Sequence, residues 1–431
     1  MSSIPNATTD SPQSQPALHT ATSRPPTWRE LQSWARSFAT SHPDMCHLSS
    51  LGTSRGGEDL PLLVIGDGPL TMMVVAGSHP NEPIGGQTII TLAEHLLAHP
   101  AERKRATWYL VPSSDPDGLK LNETWLKGTW PPTMEEFHRG FYRPAGEDQP
   151  DWTFPFDGGG PAQLPETQAL MNVIDAAEPD ALVSLHSSET GGSFYMVTRG
   201  EKELVGTLAQ AAARNRLPLE AMPSDCIGRE SPGPGVFVMS EPTPPPASGA
   251  DDPEEWRPAG VSSGHYAARR NGCLGVVPEV PMWRTTPITL SAEDGARVRE
   301  AAATLCAGVL ESIEPATTRS TPYLPAVRDV VKILKFMARI SRENPDQSAD
   351  QDLNLLVPLR VTGMLLSHLD AQLAVAPDHP VLRRERDLVD AQFRTWLRRA
   401  EQALRPEPIP LAQVVGYQLD TVLGVARLLA Q

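Results

Sequence analysis

The sequence predicts an α/β domain, a mixed and largely parallel twisted sheet with helices on both faces, followed by a C-terminal all-α helical appendage. Two observations point to it. Short apolar runs alternate with helical patterns as far as residue 313. Beyond residue 320 the strand signal stops and only helical periodicity continues.

Taken in order, Trp28, Leu31, Trp34, Ala35 and Phe38 recur at helical spacing within 27–40. The runs LPLLVIGDG (60–68) and LTMMVVAG (70–77) read as short buried strands, and 83–99 as an amphipathic helix. A strand is expected at 106–114, then a long irregular stretch up to a helix at 165–178. Strands at 180–186, 194–200 and 272–280 and helices at 201–216 and 291–313 complete this part. Segments 323–341, 353–375, 380–404 and 411–430 read as four further helices. On the third of these, Leu382, Val389, Phe393, Trp396, Ala400 and Leu404 share one face. The expected organisation is therefore a tail over 1–26, an α/β domain over 27–315 and a helical domain over 320–431.

A chain of 431 residues with 40% apolar content can bury a sizeable core in one large and one smaller unit. No apolar run is long enough to span a bilayer. Residues 1–26 are rich in Ser, Thr, Pro and Gln, without a basic start or an apolar centre, and read as a disordered tail rather than a signal peptide. Four scattered cysteines fit a reducing, cytoplasmic setting. A net charge of −15 disfavours nucleic acid and anionic membranes as partners. The Pro-rich segment 240–258 reads as a functional or disordered loop.

The chemistry begins at AGSHPNEPIGG (76–86), where His79 and Glu82 fall on a tight bend after a strand. A hydrolytic zinc site uses three protein ligands and keeps one position open. His186, ending the strand DALVSLH, arrives at the same kind of place, the carboxyl end of a strand. Glu279 in GVVPEV closes another buried run, where a carboxylate is costly unless paired or functional. Each has a plainer reading: a solvated turn, a capped strand-end histidine, and a glutamate paired with Arg284. Agreement among separate segments favours the metal site. A serine hydrolase is the competing class. GTSRG (52–56) and GVSSG (260–264) both match its G-x-S-x-G motif, but neither has the required strand before and helix after. No H-E-x-x-H and no phosphate-binding loop motif is present.

Together these segments resemble the zinc metallocarboxypeptidases of the carboxypeptidase A type. The marks are HPNE, the histidine of LVSLHSS, the glutamate of VVPEV, the opening LGTSRGGEDLPLLVIG, and VPSSDPDGLKLN in place of a strand followed by N-P-D-G. The likeness runs over roughly residues 27 to 313. It implies one Zn²⁺ per chain held by His79, Glu82 and His186, with Glu279 moving a proton from the attacking water to the leaving amine. It implies a peptide or an N-acyl amino acid as substrate. The chain departs from the family at Asp115, which stands where the motif has Asn, and in lacking the Asn-Arg pair further on. Arg143 is then the leading candidate to grip a substrate carboxylate and Arg139 the second, since a guanidinium matches a carboxylate bidentately. Lys120, Lys127 and Arg139 remain open as the cation facing the oxyanion. Asn122 belongs to the same substrate-side set, as does Tyr266, with Tyr195 its alternative. The expected function is a metallocarboxypeptidase. An N-acyl amino acid amidohydrolase of desuccinylase or deacylase type, or a non-catalytic zinc-containing binding protein, is the alternative. The C-terminal helices carry no chemical motif and are expected to serve packing, partner binding or homo-oligomer formation.

Overall fold

The computed structural model describes residues 23–156, 163–242, 244, 258–343 and 352–431. The expected tail, except 23–26, and most of the Pro-rich loop lie outside these residues.

Among the described residues eight strands form one mixed sheet: β1 (Cys46–Thr53), β2 (Asp59–Ile65), β3 (Leu70–Ala76), β4 (Ala106–Val111), β5 (Ala181–Leu185), β6 (Phe194–Val197), β7 (Val236–Val238) and β8 (Leu274–Glu279). Their order is β1-β2-β4-β3-β5-β8-β6-β7. The centre, from β4 through β3 and β5 to β8, is parallel. Antiparallel pairs flank it, β1 and β2 joining β4 on one side and β6 joining β8 on the other. Every residue of β5 and β8 is buried, so these strands read as continuous apolar runs, as expected for strands covered on both faces. β1 shows the opposite pattern. Its sequence CHLSSLGT is half exposed at the sheet edge, which is why no strand was expected there.

The first helix, Trp28–Ser41, starts from a capping box in which Thr27 and Glu30 satisfy each other's backbone N–H groups. The stretch after β4, expected to be irregular, instead holds helices Pro116–Leu126 and Met134–Arg139. Asp115 is the physical reason for the first. Its side chain accepts from Gly118 N at 2.9 Å, and Pro116 supplies a preset first turn. The same D-P-D-G letters suit a turn, and the weak apolar periodicity that follows did not arbitrate.

The four C-terminal helices form as expected: Tyr323–Glu343, Leu353–Leu373, Pro380–Leu404 and Leu411–Leu429. They pack closely on the rest of the chain. The first three pack with helix Ala292–Ile313. The last packs on helices Ile84–Ala98 and Lys202–Arg214 and against β3 and β5. One apolar cluster runs from Trp28 through Val74 and Val183 to Leu365 and Val425. A further tie joins the parts: Glu407–Pro408 (β10) pairs antiparallel with Trp283–Arg284 (β9). Val414, Val415, Val422 and Val425 are fully buried, each contributing about 1.5–3 kcal/mol relative to exposure, so the last helix is part of the α/β core. Among the described residues no helix is long and apolar enough to cross a membrane.

Candidate metal centre and active site

β3, β5 and β8 are neighbours in the sheet, and their carboxyl ends carry the candidate residues. After β3 the chain turns at Gly77, which has φ +67°, and a Cβ there would sit 2.5 Å from Ser113 Oγ. Glu82 N donates to His79 O at 3.0 Å, closing a bend that aims both side chains the same way before helix Ile84–Ala98 begins. His186 follows β5 directly and bridges in parallel to Glu279 at the end of β8.

His79, Glu82 and His186 converge. One ligand atom from each lies within 4.8 Å of the others, and all three residues are buried. Glu82 Oε2 accepts from Ser187 N at 3.1 Å and lies 3.1 Å from His186 Nδ1. His186 Nε2 is 3.0 Å from Ser184 Oγ and 3.5 Å from Asp151 Oδ2, contacts that turn Nδ1 toward the cluster. Trp152 Nε1 lies 3.4 Å from His79 Nε2, and His79 Nδ1 is buried without a hydrogen-bond partner among the described residues. Glu279 Oε1 stands 3.8 Å from His186 Nδ1.

The electrostatics differ across the buried site, carboxylates surrounding His186 and cations facing His79. Burial works against a charged His186, yet Asp151, Glu82 and Glu279 overcome it and lift its pKa to about 10. Burial, then the neighbouring Glu82, pushes the Glu279 carboxyl up, while His186 and Arg143 pull the other way. His79 is driven down by burial and then by the Arg143 charge. Two imidazoles and a carboxylate, each imidazole with its buried Nδ1 free of a hydrogen bond among the described residues, are a donor set that fits zinc.

Residues 31–224 match the family model described as zinc carboxypeptidase. That segment belongs to the zinc carboxypeptidase family. An inactive metallocarboxypeptidase of Talaromyces stipitatus is 25% identical over 179 residues, covering 36% of this chain and 29% of that protein. Carboxypeptidase B of Astacus astacus is 23% identical over 143 residues, covering 32% of this chain and 47% of that protein. The chain thus spans less than half the length of these relatives. The structure of bovine thrombin-activatable fibrinolysis inhibitor in complex with tick carboxypeptidase inhibitor aligns with a TM-score of 0.40 at 12% identity, over 75% of this chain and 99% of that one.

Within this zinc carboxypeptidase segment, the residues expected on the substrate side divide. Arg143 reaches the cluster, with Nη1 3.5 Å from Glu82 Oε1. Asn122 does not face it. Asn122 instead clamps the backbone just before Arg143, donating to Tyr142 O at 2.8 Å and accepting from Tyr142 N at 3.1 Å. Three further expected residues are engaged elsewhere. Arg139 pairs with Asp390 at 3.0 Å and lies over the Phe393 ring, tying the family segment to the C-terminal helices. Lys127 is exposed and pairs with Glu123 one helical turn back. The Tyr266 hydroxyl donates to Asp175, and its ring packs on Phe154. Of the open alternatives, Lys120 is held by Glu58 and Asp117, and the Tyr195 hydroxyl donates to Leu208 O.

Other contributors were not anticipated. Asp151 sits in the stretch read as irregular and joins His186 to the Ser263 backbone, accepting from Ser263 N at 3.1 Å. Gln418 comes from the last helix. Its Nε2 donates to His186 O at 2.8 Å, and its Oε1 accepts from Thr88 Oγ1 at 2.7 Å. A Gln among the apolar residues of this helix was the available signal, and the structure buries it fully.

Two predictions arise here. Zinc analysis of the purified chain should give one equivalent, and a His79→Ala/His186→Ala variant should hold almost none. Wild-type zinc content in that variant would exclude this ligand set. Gln418→Leu strips partners from two buried groups and should lower stability by about 1–3 kcal/mol. It should also weaken zinc affinity about 10–100-fold in a chelator competition, because the anchor that fixes a ligand's backbone is lost.

Proposed function

We propose that the chain is a zinc-dependent hydrolase that cleaves an amide bond next to a free carboxylate, acting as a metallocarboxypeptidase on a peptide C-terminus. An N-acyl amino acid amidohydrolase would use the same residues and differ in what flanks the amide. The observation that carries the proposal is Glu279, a buried carboxylate facing the His79–Glu82–His186 set from the next strand. A binding site has no need of a proton acceptor there.

His79, Glu82 and His186 would hold the ion, which when bound polarises the scissile carbonyl and acidifies water. Glu279 takes the proton from the attacking water and returns it to the departing amine. Burial keeps its proton affinity high enough for the return step. Arg143 orients the substrate by its terminal carboxylate. Ser184, Asp151 and Gln418 keep His186 in place. A cytoplasmic location belongs to the same proposal and is supported by four free, buried cysteines.

A second reading, a zinc-containing protein without activity, is favoured by the relatives named inactive. The deciding experiment incubates the zinc-loaded full chain with peptides, their C-terminal amides, and N-acyl amino acids. Release of the C-terminal residue from free-carboxylate peptides alone supports the carboxypeptidase. Stoichiometric zinc with no turnover on any substrate supports the inactive reading.

A further inference from the structure

The helix Leu353–Leu373, outside the family segment, sends Arg360 into the neighbourhood of the site. Arg360 Nε donates to Glu189 Oε1 at 2.6 Å. Glu189 lies on the loop that leaves His186, is almost fully buried, and has its other oxygen 2.9 Å from His138 Nε2. The Arg360 guanidinium sits 5.7 Å from the centre of the Phe141 ring. Phe141 opens the Phe-Tyr-Arg segment that ends in Arg143. Arg360 is therefore wedged between the segment carrying one metal-ligand candidate and the segment carrying the carboxylate-binding candidate. Its positive charge acts on both His79 and Arg143.

The two ends of the guanidinium differ. The Nε edge is fixed by a carboxylate whose side chain is 3% exposed, whereas the Arg360 side chain as a whole is 20% exposed. Among the described residues nothing hydrogen-bonds its Nη nitrogens. Arg143 is similarly underused, with only the 3.5 Å approach to Glu82 among the described residues. A simple docking ion pair between helix and loop would explain the Nε contact. It would not require Glu189 to be shared with His138, nor leave two donors directed away from the partner. A guanidinium held along one edge and open along the other is preorganised to receive a second carboxylate.

We propose that Arg360 and Arg143 together form a two-carboxylate pocket, and that the released residue of the substrate is acidic: a C-terminal Glu or Asp. Arg143 takes one carboxylate and the Nη edge of Arg360 the other. Glu189 and His138 act as positioning residues, fixing Arg360 by its Nε. This rests on the hydrolase reading above and assigns the C-terminal helices a part in specificity. Asp225, an exposed acid whose charge is felt at Arg143 and Glu279, is the feature that would instead favour a basic residue.

The test uses the zinc-loaded full chain and three peptides identical except for a C-terminal Glu, Gln or Lys. kcat/KM for Glu should exceed that for Gln by about tenfold or more, because Gln has the same shape without the charge. In Arg360→Met the ratio of Glu to Gln should fall to about one. The Arg360→Gln/Glu189→Gln variant removes both charges of the pair, so it gives the same reading should the single variant leave Glu189 unpaired and fail to fold. Calorimetric binding of the same peptides to the zinc-loaded Glu279→Gln variant, with and without Arg360→Met, separates the two layers of the argument. An Arg360-dependent preference for Glu in binding without turnover of any peptide by wild-type protein overturns the hydrolase and keeps the pocket. Turnover with equal Glu and Gln, a preference for Lys, or a Glu preference unchanged in the Arg360 variants overturns the pocket and keeps the hydrolase. Neither turnover nor selective binding overturns both.

Discussion

Glu279→Gln is expected to retain one zinc per chain and to lose about 10²–10⁴-fold in kcat. The amide fills the same volume at the end of β8, so the strand and its bridge to His186 keep their register. What disappears is the ability to accept a proton. Glu279 stands 3.8 Å from His186 Nδ1, outside the three-atom set that would bind the ion, so zinc content should not follow activity. A removed base should act mainly on kcat, since substrate contacts in the ground state are left in place. The measurements are steady-state kinetics on a free-carboxylate peptide and metal analysis of the same preparation. A Gln variant with undiminished turnover would sink the assigned mechanism. Loss of zinc in step with activity would show that Glu279 belongs to the metal centre itself.

The parts of this site that could be read from the sequence share a physical cause. β5 and β8 are buried along their whole length, so their sequences are apolar until they reach a residue that solvation cannot explain. His186 and Glu279 are those residues. His79 and Glu82 were readable because a strand, a Gly turn and a helix start compress them into a few letters. The supports were hidden because they are distant in the chain. Gln418 is 232 residues from His186, and Arg360 is 171 residues from Glu189. Helical periodicity reports that a face is buried, not what covers it. For this reason the contact of the last helix with the central strands was not legible. Arg139, Lys127 and Tyr266 show the converse. Each sits in a segment of the right kind, yet an acidic partner nearby in space holds it elsewhere: Asp390, Glu123 and Asp175.

Arg143→Ala is expected to lower kcat/KM on free-carboxylate peptides by about 2–5 kcal/mol in free-energy terms, the usual cost of removing one partner from a desolvated charge pair. The structure supplies the conditions for a strong pair. Phe141 and Tyr142, which precede Arg143, are buried, and Asn122 fixes Tyr142 through both its backbone N–H and its carbonyl. The arginine is thus held on a rigid segment with apolar walls, where a guanidinium–carboxylate contact is weakened little by solvent. C-terminally amidated peptides lack the charge and should lose much less. Because Nη1 also lies 3.5 Å from Glu82, zinc content has to be measured alongside. If the ion stays bound and amidated and free substrates fall equally, Arg143 does not grip the terminal carboxylate. The cost would then fall on a group common to both substrates, the carbonyl oxygen of the scissile amide, where developing negative charge would call for the same guanidinium.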